Sequence, residues 1–170
     1  LVSLPAHEKV RVLEENQELK AKHSKLGLNP KEFIKVDIGD VVLDAWMIKP
    51  RDFDSSKKYP LLAYVYGEPA ASTVQDNWAD GDLWHHYMAG LGYVVISIDN
   101  RGTKTPRGRE WRKSIYRQIG ILASFDQKAA VEQVLKTYDF IDPTRVGSWG
   151  WSGGGQMTLN LMFRFPEIYK

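Results

Sequence analysis

Ser152 stands in Gly150-Trp151-Ser152-Gly153-Gly154, flanked by glycines two positions before it and directly after it. A serine hydroxyl attacks a carbonyl carbon only when a base takes its proton. The glycines suit that task for a steric reason. A serine at the tip of a strand-to-helix turn holds a strained backbone, and neighbours without Cβ atoms let strand and helix close around it. A helix beginning near Gly153 aims free N–H groups and the positive end of its dipole at the reacting centre. The plainer alternative is a glycine turn that only packs a helix on a sheet. Acyl transfer also needs donors for the charge that develops on the attacked oxygen. The Gly153 N–H, next after the serine, is one candidate. Tyr66 is another, through its phenol O–H. By spacing alone, Tyr66 reads equally well as a strand-end aromatic.

The base is harder to find. All four histidines, His7, His23, His85 and His86, precede the serine, and the stretch after Ser152 holds Glu167 but no Asp and no His. His85 and His86 fall in a helical pattern that should pack on a sheet face rather than over the serine. Both read as surface or helix-packing histidines. The simplest inference is that the acid and base lie in sequence outside these residues.

The elements that must position Ser152 follow from hydrophobic period. Leu61-Leu62-Ala63-Tyr64-Val65-Tyr66 and Tyr93-Val94-Val95-Ile96-Ser97-Ile98 are continuous apolar runs, the mark of strands covered on both faces. Val146 to Trp149 is a third, after the turn signal Asp142-Pro143-Thr144. Leu83 to Ala89 reads as a helix. Ile119 to Tyr138 is the longest helical pattern, with Ile121, Phe125, Ala129, Val131, Val134 and Leu135 available to one apolar face. Upstream, Glu32 to Ile38 and Val41 to Ile48 are strands around the hairpin signal Gly39-Asp40. Lys9 to Glu14 alternates as a half-exposed strand does. Asn16 is placed to cap a helix over Gln17 to Leu26, with Leu19 and Leu26 inward and Gly27 and Asn29-Pro30 ending it. Loops are expected over Arg51 to Tyr59 and Ala70 to Gly81. Strands alternating with helices argue for an α/β layer structure with a mainly parallel sheet flanked by helices.

Composition narrows the function classes. The 170 residues carry a formal net charge of +2, with Lys/Arg and Asp/Glu interspersed. This is no electrostatic footprint for nucleic acid. The basic stretch Arg101 to Arg117 reads as a solvated loop. The chain has no cysteine, which removes disulfides, thiolate metal sites and a cysteine nucleophile. No apolar run approaches the ~18 residues of a membrane-spanning helix. Leu1-Val2-Ser3-Leu4-Pro5 lacks signal-peptide features and reads as a cut within a longer chain. Serine acyl transfer requires no metal or organic cofactor, and no ligand spacing for one is visible.

In its strand-turn-helix context, G-x-S-x-G is the nucleophile elbow of α/β-hydrolases, whose order is nucleophile, then acid, then His. The usual esterase oxyanion stretch His-Gly-Gly is absent; Tyr64-Val65-Tyr66-Gly67-Glu68-Pro69 stands in its place. Several motifs in one order then resemble the dipeptidyl peptidase IV group of the prolyl oligopeptidase family of serine peptidases. They are Arg11-Val12-Leu13-Glu14-Glu15-Asn16 with Leu19, Lys57-Lys58-Tyr59-Pro60-Leu61-Leu62, Val65-Tyr66-Gly67-Glu68-Pro69, Asp99-Asn100-Arg101-Gly102, Asp126-Gln127, and Asp142-Pro143 through Gly155.

The resemblance implies Ser152 as nucleophile, Tyr66 as oxyanion donor through its hydroxyl and Gly153 as donor through its backbone. It implies residues 1–30 as a β-propeller exit strand and linking helix, and 31–170 as the N-terminal part of a peptidase domain, incomplete after the elbow. Its substrate would be a peptide with a free N-terminus. The rest of the catalytic domain and the propeller would lie outside the chain, the full-length protein forming a homodimer in a periplasmic, secreted or membrane-anchored setting. Two departures stand out. Gly153 replaces a tyrosine common in the group, which leaves the preference for proline open. Glu68 replaces a small residue, and nothing in the sequence explains it. On the same scaffold an esterase or acylaminoacyl peptidase is the alternative activity. A non-catalytic interaction domain is the alternative class. Without further strands the Val146 strand would be an unpaired edge.

Overall fold

The computed structural model describes residues 1–77 and 83–170. Five strands form one sheet in the order β1-β2-β4-β3-β5. They are β1 (Glu32–Asp37), β2 (Val42–Ile48), β3 (Tyr59–Tyr64), β4 (Val94–Asp99) and β5 (Ile141–Trp149). The hairpin β1–β2 is antiparallel in the register Asp37↔Val42, closed by Gly39 at φ 98°. β2 runs antiparallel to β4, while β3 is parallel to both β4 and β5. Only β2 therefore opposes the common direction. The sheet is mixed but mostly parallel, and β5 is an edge strand of this chain.

Among the described residues five helices accompany it: α1 (Gln17–Lys25), α2 (Leu83–Gly90), α3 (Gly108–Lys113), α4 (Leu122–Thr137) and α5 (Gly153–Arg164). Alternation along each strand divides the core between the two faces. On one face Leu61, Ala63, Val94, Ile96, Ile98 and Val146 pack with Val131 and Val134 of α4 and Met157 and Leu161 of α5. On the other, Trp46, Ile48 and Val95 pack with Ala89 of α2, joined by Tyr64 and Met88. All six residues of β4 are buried, as its continuous apolar run requires.

Several local expectations are corrected. No regular strand forms over residues 9–14; there is one isolated bridge, Val2↔Lys9. Asn16 occupies the cap position of α1 but in the left-handed region, φ 52°, with no side-chain cap. Its own N–H instead donates to Glu14 Oε1 at 2.8 Å. Leu19 and Leu26 are not inward: α1 buries no residue, and both leucines are exposed. The apolar face expected on α4 holds in part, at Val131 and Val134. Ile121 and Phe125 are exposed, and the buried face carries Ser124, Asp126 and Gln127 beside Ala130, Val131 and Val134. The basic stretch Arg101 to Arg117 is not all loop, since α3 lies within it. Of the loop expected over 70–81, residues 78–81 lie outside the described residues.

Candidate active site

β3 and β5 lie side by side in the sheet. The chain leaves β3 towards α2 on one face and leaves β5 into α5 on the other. Connections that part in this way open a crevice at the carboxyl ends of the two strands, the place where open α/β sheets bind ligands. Tyr66 follows β3 there, and Ser152 follows β5.

Ser152 has φ 56° and ψ −118° and sits directly before the first residue of α5. A non-glycine residue in this strained region is held by its surroundings, and such strain concentrates at functional sites. Here the surroundings are glycines. A Cβ on Gly150 would lie 2.3 Å from Val65 O, and one on Gly154 would lie 2.2 Å from the same atom. The elbow is thus pressed against the backbone of Val65, whose N–H donates to Trp149 O at 3.0 Å. The same Cβ on Gly154 would be 3.4 Å from Tyr66 Cα. Tertiary packing thereby brings Tyr66 beside the serine turn.

The donors of the first turn of α5 divide cleanly. Gly154 N–H donates to Trp151 O at 2.9 Å, and Gly155 and Gln156 donate to Ser152 O at 2.9 and 3.2 Å. This leaves Gly153 N–H as the first-turn donor without a backbone acceptor among the described residues, as helix N-termini require. Ser152 is exposed and its hydroxyl makes no cap bond. The half-buried Tyr66 likewise offers a phenol O–H that bonds to no described residue. The three residues singled out in the sequence, Ser152, Tyr66 and Gly153, are therefore brought together with their polar groups available.

A buried polar network fixes the loop that carries Tyr66. Gly67, at φ 79°, packs so closely that a Cβ would meet Met157 Cε of α5 at 2.6 Å. Asn100 Nδ2 donates to Gly67 O at 3.3 Å, and Gln127 Nε2 of α4 donates to Asn100 Oδ1 at 3.0 Å and to Ile98 O at 2.6 Å. Beside them, Asp126 accepts the Arg101 backbone N–H at 2.9 Å and its guanidinium at 2.6 Å, and that guanidinium also reaches Asp40. Sequence reasoning from the residues alone missed Asn100 and Gln127 as positioning groups. A polar pair on the inward face of α4 was the signal available.

Further along, Asp99 anchors the segment after Glu68. Its carboxylate accepts the backbone N–H groups of Thr73 at 2.9 Å and Val74 at 3.3 Å. Burial pushes this carboxyl up from 3.8 to about 6, against the hydrogen bonds from Thr73 and Val74 that favour its ionised form. His85 lies on the α2 face of the sheet. Its ring lies in an aromatic cluster on the α2 face, 4.6 Å from Tyr64, 5.1 Å from Trp46 and 5.4 Å from Trp149 between centroids.

Comparison with known proteins decides the family. Residues 82–170, more than half of the chain, match the prolyl oligopeptidase family. The chain belongs to that family. It is 36% identical over 164 residues to prolyl endopeptidase FAP of Homo sapiens, covering 96% of this chain and 21% of the relative. It is 34% identical over 161 residues to a probable dipeptidyl-aminopeptidase B of Paracoccidioides brasiliensis, covering 94% of this chain and 17% of the relative. The crystal structure of Porphyromonas gingivalis dipeptidyl peptidase 4 superposes with a TM-score of 0.88 at 39% identity, over 97% of this chain and 23% of that one. The fold is that of part of an α/β-hydrolase domain. The chain spans about a fifth of the length of these relatives.

A Cβ on Gly153 would lie 2.5 Å from Glu68 Cδ. The carboxylate of Glu68 fills the space that a side chain at position 153 would take.

Proposed function

We propose that the full-length protein carrying this chain is a serine peptidase of the dipeptidyl type. Ser152 is the nucleophile, and Tyr66 O–H and Gly153 N–H are the oxyanion donors. The observation that carries this reading is the strained Ser152, φ 56° and ψ −118°, at a turn packed against the Val65–Tyr66 backbone. In the reaction, Ser152 Oγ bonds to the peptide carbonyl carbon as its proton passes to a histidine base. The carbonyl oxygen takes the negative charge between the two donors. The C–N bond then breaks, the amine leaves with the proton, and water releases the acyl group by the same route. The histidine and its carboxylate partner come from sequence outside this chain. Residues 1–30 are the link from a β-propeller and 31–170 the first part of the catalytic domain. The substrate is a peptide with a free N-terminus.

The test uses the full-length protein, a serine-directed phosphonate and dipeptidyl substrates beside simple esters. Ser152→Ala is expected to end phosphonate labelling and to lower kcat by about 10⁴-fold or more while the fold persists. Retained turnover in that variant would assign the chemistry elsewhere. Ester turnover without dipeptidyl turnover would favour the esterase alternative.

A further inference from the structure

The residue after a serine nucleophile borders the acyl group, because its own N–H points at the acyl oxygen. At that position this chain has Gly153, and the border is made instead by Glu68. The distances from the missing Cβ to the Glu68 carboxylate oxygens are 2.6 and 2.8 Å. Glu68 is half-buried and forms no hydrogen bond or ion pair with any described residue.

An unpaired carboxylate at this place acts on the reaction. It lies beside the point where the oxyanion develops, so with a neutral acyl group it raises the energy of the transition state. A positive charge on the acyl residue cancels that repulsion and adds a charge-assisted hydrogen bond. The absence of a side chain at 153 leaves the carboxylate bordering the acyl group directly.

From these facts we infer that Glu68 is a specificity-determining residue, selecting substrates with lysine or arginine at the residue whose carbonyl Ser152 attacks. The inference rests on the serine peptidase reading given above. The competing role for Glu68 is purely local: an anion at the N-terminus of α5 is favoured by the helix dipole. The two roles differ in what a neutral substitution does. Loss of a local cap lowers turnover of every substrate alike, whereas loss of a selecting charge reorders the substrates.

The experiment uses the full-length protein and matched dipeptidyl coumarin amides that differ only in the second residue: lysine, norleucine or Nε-acetyl-lysine. In the wild type, kcat/KM for the lysyl substrate should exceed the norleucyl value by about tenfold or more, the effect of one charge-assisted contact. Acetyl-lysine, as long but neutral, should fall with norleucine. In Glu68→Gln the lysyl value should drop and the norleucyl value rise, so that their ratio shrinks about tenfold. Glu68→Lys should invert the preference. A wild type with no preference for the cation overturns the inference while leaving the peptidase reading intact. So does a Glu68→Gln variant that lowers all three substrates equally. Failure of the wild type to cleave any dipeptidyl substrate, together with no phosphonate labelling at Ser152, overturns both.

Discussion

A hydroxyl that bonds to nothing within the folded protein is open to a group from outside the chain, and its removal costs little stability. Tyr66 is half-buried beside the elbow, and its O–H finds no described partner. Removing that oxygen therefore breaks no internal bond. If Tyr66 is the oxyanion donor proposed above, Tyr66→Phe in the full-length protein is expected to lower kcat by about 10²–10³-fold with little change in KM. Thermal unfolding of the variant should match the wild type. An unchanged kcat would mark Tyr66 as a strand-end aromatic only, the other reading that its spacing allowed. Gly153 and Glu68 show the limit of reading residues one at a time. Each was visible as a departure from the family pattern, yet neither explained itself. Their relation appears only when β3 and β5 lie side by side, so that one residue stands where the other has no side chain.

Among elements, the glycines of the elbow do different jobs. Gly150 and Gly154 face the carbonyl oxygen of Val65, which is backbone and cannot rotate away. Gly153 faces the far end of a flexible glutamate. Gly154→Ala should thus destabilise the domain by about 3 kcal/mol, the upper range for overpacking a rigid contact. Gly153→Ala should cost far less, because Glu68 can swing aside. Denaturant unfolding of both variants checks the order, and equal losses would contradict it. The strands and the elbow were legible because their signals are local: continuous apolar runs, a hairpin glycine, a serine between glycines. The buried face of α4 was not. Its inward Asp126 and Gln127 look like surface residues in a periodicity count, and only their partners Arg101, Asn100 and Ile98 O explain their burial. The cap of α1 failed for a related reason, since Glu14 accepts the Asn16 N–H and α1 buries no residue of its own.

For the whole molecule, pH acts through Asp99, which ties the segment after Glu68 to the end of β4. Burial holds its pKa up at about 6 against 3.8 for the free carboxyl, with the nearby Asp44 pushing the same way. A raised acid is favoured protonated in the folded state. Its contribution to stability is therefore complete below about pH 4 and is lost as pH rises through about 6, on the order of 3 kcal/mol. Asp99→Asn, which stays neutral, should gain stability relative to the wild type by that amount between pH 4 and 7. Paired denaturant curves at each pH measure the difference, and a constant gap would show that the carboxyl does not titrate in that range. The sequence alone settled what depends on near neighbours: an α/β order of elements, a serine elbow between β5 and α5, and a family resemblance carried by short collinear motifs. The tertiary structure decided what depends on strand order. Because β5 crosses back to lie beside β3, residues far apart in the chain meet at one crevice. The Tyr66 backbone lies against the serine turn at Gly154, Asn100 and Gln127 hold the loop at Gly67, and the carboxylate of Glu68 comes to rest on Gly153. No local period encodes such contacts, since they follow from the register of strands that the whole core sets.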